Sequence, residues 1–167
     1  ELYLTWLELD KGLSKNTVKS YHSDISQFLK FLFKKKLKNW DSVQSSHFDA
    51  WLNQLGAEGL SKQSQSRKFT SIRSFSKFLL SERIIKKDFS ELSYRPKLDK
   101  KLPITLEINE MTQLINVAKS DTIYGLRDYC IIELMYSAGL RVSELCFLKI
   151  EHMNIEDGIL RVFGKGS

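Results

Sequence analysis

Arg141 is the residue whose type and setting most directly suggest chemistry. It follows a nearly all-apolar run from Leu126 to Ala138, in a second short segment that is itself rich in apolar residues. A guanidinium stays charged and is costly to bury unpaired, so Arg141 requires an anionic partner. Glu144 is three residues away, on the same face of a helix. The spacing leaves two interpretations open: a structural Arg141–Glu144 ion pair, or an arginine presented to a phosphate and oriented by Glu144.

A second candidate, Lys165, stands between two glycines. It follows the run Ile159–Phe163, whose β-branched and aromatic residues are typical of a strand. The tripeptide is not a P-loop, because no Ser or Thr directly follows the lysine and the first glycine is misplaced. Taken alone, a lysine flanked by glycines is most often an exposed turn residue.

The third set of candidates is polar and basic and belongs to two predicted helices. Ser14 and Ser61 are good N-caps for these helices, and no acidic residue occurs between Leu60 and Ser81. Lys and Arg neutralise phosphates, while Ser, Asn and Gln can bond phosphate oxygens or base edges. The alternative is an ordinary solvated face. The candidate residues are Lys15, Asn16, Lys19, Lys62, Gln65, Ser66, Arg67, Ser71, Arg73 and Lys77.

The charge of the chain is unevenly distributed. Its net charge is +6 over 167 residues, but residues 1–100 hold 19 Lys and Arg against 11 Asp and Glu, a net charge of +8. Residues 101–167 hold 7 against 9, a net charge of −2. The first segment is therefore the candidate surface for a polyanion.

Other classes of protein fit the composition poorly. No apolar run approaches the roughly 18 residues of a membrane span, and no signal peptide opens the chain. Cys130 and Cys146 lack metal-ligand spacing, so we expect buried free thiols in a reducing cytoplasm, with no metal and no cofactor.

Periodicity predicts a mainly helical chain. Apolar residues at three- and four-residue spacing indicate amphipathic helices, and a helix that is apolar almost all round, as at Leu126–Ala138, is expected to be buried. Gly139 is expected to end that helix in a left-handed conformation. Both prolines fall in residues 91–105, which predicts a linker. The remaining predictions are a third helix capped by Ser45 or Ser46, a helix over Ile108–Ala118 and a turn over Asn154–Gly158.

The stretch Ala138-Gly-Leu-Arg-Val-Ser-Glu-Leu145 resembles the arginine box of the tyrosine recombinases, or phage-integrase family, and is most like the XerC/XerD branch. The resemblance runs from Leu13–Thr17 through Leu102-Pro103 to Phe163–Gly166. It implies a four-helix, SAM-like core-binding bundle in residues 1–90 and a linker in residues 91–103. Residues 104–167 would then form the first part of an α+β catalytic domain.

The same resemblance implies roles for the candidate residues. Arg141 would bind the scissile phosphate with support from Glu144. Lys165 would be the general acid that protonates the leaving 5′-oxygen, and the basic helices would clamp DNA. The family's His-x-x-Arg box is missing, because Ile25, Ala50 and Ile155 stand three residues after the histidines. No tyrosine follows Tyr136, so we expect a fragment of a longer recombinase that cannot itself cleave DNA.

The implied function is site-specific recombination through a 3′-phosphotyrosyl intermediate, as in chromosome dimer resolution. The implied partners are a double-stranded recombination site, a homo- or hetero-tetramer of recombinases and a division-linked DNA translocase. A phage or mobile-element integrase is the alternative enzyme. A DNA-binding relative without catalysis and a helical interaction module are alternatives from other classes.

Overall fold

The computed structural model describes residues 1–94, 96–97 and 104–164. It divides into two compact units, Glu1–Lys101 and Leu102–Ser167. Much of the predicted linker, including Leu102-Pro103, lies outside the described residues. Each unit is therefore considered by itself.

The first unit contains four α-helices: α1 (Leu2–Leu9), α2 (Lys15–Lys34), α3 (Ser45–Ala57) and α4 (Lys62–Ser81). Two of the predicted caps are confirmed, because Ser14 Oγ accepts the Thr17 N–H and Ser61 Oγ accepts the Ser64 N–H. The predicted serine cap of α3 is wrong, since the cap residue is Gln44. Its backbone N–H donates to His47 Nδ1 at 3.1 Å.

Aromatic rings dominate the core of this unit. Phe28 and Phe48 are completely buried, and their ring centroids lie 5.8 Å apart in an edge-to-face arrangement. At the other end of the bundle, Tyr3 packs edge-on against Phe75, with centroids 5.0 Å apart. The core joins all four helices and continues to Phe89 in the segment after α4. The apolar stripes therefore form one continuous core, and the polar faces of α2 and α4 are left for other roles.

The described residues of the second unit form three α-helices, a 3₁₀ turn over Ile150–His152 and a short hairpin: α5 (Ile108–Ala118), α6 (Ile123–Ala138), α7 (Val142–Cys146), β1 (Met153–Asn154) and β2 (Ile159–Leu160). The two strands are antiparallel, with Met153 opposite Leu160. The predicted strand over Ile159–Phe163 is therefore too long. The predicted bounds of α5 are confirmed, as is the left-handed end of α6 at Gly139, whose φ is +63°.

The expected burial of α6 is wrong. Its side chains are intermediate or exposed, and Leu126 and Tyr136 expose 60% and 53% of their surface. The reason is that α6 is apolar almost all round, whereas α5 and α7, which pack against it, cover only part of its surface. The same openness accounts for Cys130 and Cys146, which are exposed rather than buried as expected.

Two further properties concern the described residues as a group. No helix among them is both long and apolar enough to cross a membrane. Nor do their His, Cys, Asp and Glu side chains gather into a group of three or more that could hold a metal ion.

Candidate functional site

The predicted cationic face at the start of α2 is present. The Ser14 cap fixes the first turn, and the side chains of Lys15, Asn16 and Lys19 are exposed. Lys15 and Lys19 are four residues apart and so lie on one face of the helix, with Cβ atoms about 5–6 Å apart. The face therefore presents two cations in a row along α2.

The face predicted for α4 is only partly exposed. Lys62, Arg73 and Lys77 are exposed, and the side chain of Arg67 is 48% exposed. The amide of Gln65 is engaged, because Nε2 donates to the Leu60 carbonyl at 2.7 Å.

Two serines assigned to that face point inward instead. Ser66 is 1% exposed and Ser71 is completely buried, so their expected placement on an outward face is wrong. Ser66 precedes buried Phe69 by three residues and Ser71 precedes buried Phe75 by four, which puts both on the core side of α4. Small hydroxyl residues fit there because they let two helices approach closely.

The exposed cations belong to separate cavities of the first unit. Asn16, Lys19 and Arg67 line a cavity of about 390 Å³ between α2 and α4. Arg73 and Lys77 line a larger one, of about 1000 Å³, together with Lys86 and Lys87. The structure thus places Arg67 of α4 beside the first turns of α2 and places Arg73 and Lys77 at the other cavity.

A buried acid that was not predicted from the sequence lies beneath the smaller cavity. Asp24 is 1% exposed and accepts hydrogen bonds from Arg67, Lys68 and Ser71. A signal was available in the sequence. Asp24 stands three residues after Tyr21 and four before Phe28, on the apolar stripe of α2, where a carboxylate needs a cationic partner from a neighbouring helix.

In the second unit, Arg141 and Glu144 form the ion pair of the first sequence interpretation. The Arg141 backbone N–H donates to Glu144 Oε2 at 2.8 Å, and its side-chain Nη1 donates to Oε1 at 2.7 Å. The Arg141 side chain nevertheless remains 75% exposed, whereas that of Glu144 is 10% exposed. The ion pair therefore exists, and it holds a guanidinium most of whose surface is accessible.

The electrostatics of Glu144 agree with this geometry. The bond from the Arg141 backbone N–H, followed by the bond from its side chain, lowers the pKa of the Glu144 carboxyl. Glu144 is consequently an anion at neutral pH and can orient the guanidinium. The left-handed Gly139 and the buried Leu140, which is 7% exposed, fix the backbone immediately before Arg141.

Lys165 lies outside the described residues. Gly164, the residue before it, lies beside Glu144, because a Cβ added to Gly164 would be 3.8 Å from Glu144 Oε1. Phe163 also packs edge-on against His152, with ring centroids 5.1 Å apart. The end of the hairpin region and the Arg141–Glu144 pair are therefore neighbours.

Comparison with known proteins agrees with these features. Residues 1–83 match the family profile described as "Phage integrase, N-terminal SAM-like domain", and residues 105–167 match the one described as "Phage integrase family". The chain belongs to the tyrosine recombinase, or phage-integrase, family. The predicted resemblance and the mainly helical fold class are confirmed.

Individual relatives refine the comparison. Tyrosine recombinase XerD of Staphylococcus saprophyticus is 39% identical over 167 residues, which is the whole chain and 57% of the relative. XerD of Staphylococcus aureus is 36% identical over 166 residues, or 56% of that protein. The chain thus spans a little over half the length of these curated relatives.

Solved structures show the same fold. A lambda integrase dimer bound to a COC′ core site superposes with a TM-score of 0.71 at 20% identity, over 96% of this chain and 46% of the integrase chain. The Tn1549 transposon integrase in complex with a circular intermediate DNA gives a TM-score of 0.67 at 19% identity, over 93% and 49%.

Proposed function

We propose that this chain is the DNA-clamping and arginine-bearing part of a site-specific tyrosine recombinase. The observation that carries the proposal is the Arg141 guanidinium, which is exposed yet fixed through Glu144. Identity of 39% to a XerD over the entire chain supports a Xer-type enzyme. Such an enzyme cuts and rejoins duplex DNA through a covalent 3′-phosphotyrosyl intermediate.

The chemistry assigns a role to each group. A phosphodiester under attack gains negative charge on its non-bridging oxygens, and a preorganised guanidinium stabilises that charge without having to reorganise. Arg141 supplies this donor and Glu144 orients it. Lys165 is the general acid for the leaving 5′-oxygen, and Gly164, the residue before it in the sequence, lies close to Glu144. The phosphotyrosyl link conserves the bond energy for rejoining, so the reaction needs no cofactor.

The DNA-binding surface is the exposed part of the predicted set. It comprises residues of α2 and α4 in the unit that carries the excess positive charge, while the buried Ser66 and Ser71 leave the set. Gln65 also leaves the set, because its side-chain amide donates to the Leu60 carbonyl just before α4. The proposed DNA-contacting residues are Lys15, Asn16, Lys19, Lys62, Arg67, Arg73 and Lys77.

The proposed biological role is chromosome dimer resolution in the cytoplasm. The recombinase would act as a homo- or hetero-tetramer on two double-stranded recombination sites, under the control of a division-linked DNA translocase. Site preference separates this role from that of an integrase. A Xer-type enzyme should recombine the site of the staphylococcal XerD relative, whereas a phage or mobile-element integrase should not.

Arg141→Lys in the full-length protein tests the catalytic assignment, because lysine keeps the charge but loses the guanidinium fork. We expect single-turnover cleavage of a nicked suicide substrate to slow on the order of a hundredfold or more. Site affinity in a band-shift assay and the melting temperature should stay close to wild type. Arg127→Lys is the matched control, since Arg127 is exposed, forms an ion pair with its neighbour Asp128 and otherwise lies over the Tyr124 ring.

Two results would oppose the proposal. A variant that melts early yet cleaves normally per folded molecule would make Arg141 a structural partner of Glu144 only. A full-length protein that binds the site but forms no adduct surviving denaturation would favour a DNA-binding relative without catalysis.

A further inference from the structure

A buried ionic network lies beneath the cavity between α2 and α4. Oδ1 of Asp24 accepts from Arg67 Nη2 at 3.0 Å and from Lys68 Nζ at 2.8 Å. Oδ2 accepts from Ser71 Oγ at 2.9 Å and from Arg67 Nη1. Each carboxylate oxygen thus has two donors, which is the condition for keeping a buried carboxylate in a folded protein.

The two cations of the network differ in exposure. Lys68 is 6% exposed, and its ammonium also donates to Gln27 Oε1 at 2.7 Å, so it is buried with two acceptors inside the unit. The Arg67 side chain is 48% exposed although its two Nη atoms grip Asp24. Because a guanidinium carries five N–H groups, three remain for another ligand. Asp24 therefore holds one side of Arg67 and leaves the other side accessible.

The groups around the accessible side of Arg67 suit a phosphate. Ser20 lines the same cavity, but its hydroxyl already donates to the Asn16 carbonyl at 2.9 Å. The other polar groups of the lining include the ammonium of Lys19, the amide of Asn16 and the hydroxyl of Ser23. These are donors to phosphate oxygens. Asp24 is the sole acid among the lining residues, against Lys19, Arg67 and Lys68, and its carboxylate is already saturated. The cavity therefore keeps a net positive charge.

We propose that Asp24 is a positioning residue for a phosphate site formed by Arg67, Lys19 and Asn16. The ligand is a backbone phosphate of bound duplex DNA, so the inference rests on the proposed function. A strand of DNA is favoured over a single free anion because Lys15, one turn before Lys19, continues the row of cations beyond the cavity.

Removal of Asp24 should have the opposite effect to the one that simple charge counting predicts. By charge counting alone, the carboxylate of Asp24 should weaken DNA binding, and its removal should strengthen binding. Here the bidentate contact with Asp24 fixes a long, flexible side chain in advance, so less conformational entropy is lost when the phosphate binds. Loss of Asp24 should therefore weaken binding through Arg67.

The test uses the 167-residue chain, a mixed-sequence duplex and a series of salt concentrations. In the double variant D24N/K68M the net charge is unchanged, and neutral side chains replace both buried charges, which a fold often tolerates. We expect Kd to rise on the order of tenfold. The slope of log Kd against log salt should fall by about 0.9, the value of one phosphate contact.

A double-mutant cycle shows whether the effect passes through Arg67. R67A alone should weaken binding to a similar degree, and D24N/K68M should add nothing in the R67A background. R67K is the second variant. It folds with Asp24 still bonded to Lys68 and Ser71, keeps the charge and loses the fork, so a several-fold loss is expected. Circular dichroism and thermal melting verify the fold of each variant.

The outcomes separate this inference from the proposed function. A folded D24N/K68M or R67K with unchanged Kd and slope, or an additive loss in the R67A background, overturns the positioning role while DNA binding stands. No duplex binding by the wild-type chain opposes the proposed function itself. Inorganic phosphate that binds the wild-type chain far better than chloride at equal ionic strength, yet does not displace the duplex, shows a separate site for the free anion and overturns the assignment to a DNA strand.

Discussion

The two units of this chain bury their apolar residues to very different extents. In Glu1–Lys101 a continuous core contains completely buried aromatic rings such as Phe28 and Phe48. In the described part of Leu102–Ser167, Leu140 is the one hydrophobic side chain classed as buried, and α5, α6 and α7 contain no buried residue. An apolar pattern therefore becomes a core only where enough neighbouring elements are present to cover it.

Core truncation should reveal this difference most strongly. Phe28→Ala removes a ring with no exposed surface and should cost about 3–5 kcal/mol of unfolding free energy. Leu126→Ala, at a side chain that is 60% exposed in α6, is the control and should change stability by only about 0.5 kcal/mol. Urea unfolding followed by circular dichroism measures both. Equal costs would mean that the two units are covered alike.

Loss of a helix cap should have a smaller effect. Ser14→Ala leaves the Thr17 N–H without its acceptor at the start of α2 and should cost about 1 kcal/mol of unfolding free energy. Thr122→Ala makes the corresponding change at α6, where Thr122 Oγ1 accepts from the Gly125 N–H at 3.1 Å. If the first unit unfolds as one cooperative body, Ser14→Ala should lower its melting temperature and Thr122→Ala should not. The reverse ranking would contradict the comparison.

The smallest effect is a pH dependence confined to the first unit. Burial opposes ionisation of Asp88, but hydrogen bonds from Ser76 and Ser90 outweigh it and hold the pKa of that carboxyl below its ordinary value of 3.8. The folded-state pKa is thus the lower one. The ionised carboxylate of Asp88 therefore contributes fully to stability above the unfolded-state pKa, and this contribution is lost as the pH falls through the folded-state pKa.

Ser76→Ala should remove part of that dependence, because Ser76 Oγ donates to Asp88 Oδ1 at 2.6 Å. Ser81→Ala in the same helix is the control, since Ser81 Oγ donates to the Phe78 carbonyl and, among the described residues, has no hydrogen bond to a carboxylate. Melting curves between about pH 2 and pH 5 around the ordinary carboxyl pKa test the prediction. Identical acid profiles for the two variants would contradict it.

Local rules predicted the elements well. The serine caps of α2 and α4, the bounds of α5 and the end of α6 at Gly139 all follow from residue type and short-range spacing. These features depend on contacts within one turn of helix. The Arg141–Glu144 pair was predictable for the same reason, because its partners are three residues apart.

Contacts between helices were harder to predict. Asp24 and Lys68 are 44 residues apart, and nothing in either local sequence specifies the other as its partner. Ser66 and Ser71 were placed outside because their type suits a polar surface, although their angular positions on α4 are on the core side. The exposure of α6 depends on how much of the fold surrounds it, which periodicity does not report.

The left-handed residue at the end of α6 also makes the length of that helix a determinant of where Arg141 points. Arg141 follows Gly139 and the buried Leu140 directly, so its backbone has little freedom of its own. Each residue of an α-helix advances the chain by about 1.5 Å and turns it by about 100°. Inserting or deleting one residue within α6 would therefore swing the guanidinium about a quarter of a turn around the helix axis. The direction of the Arg141 side chain therefore depends on the number of residues in α6 as well as on the bond to Glu144.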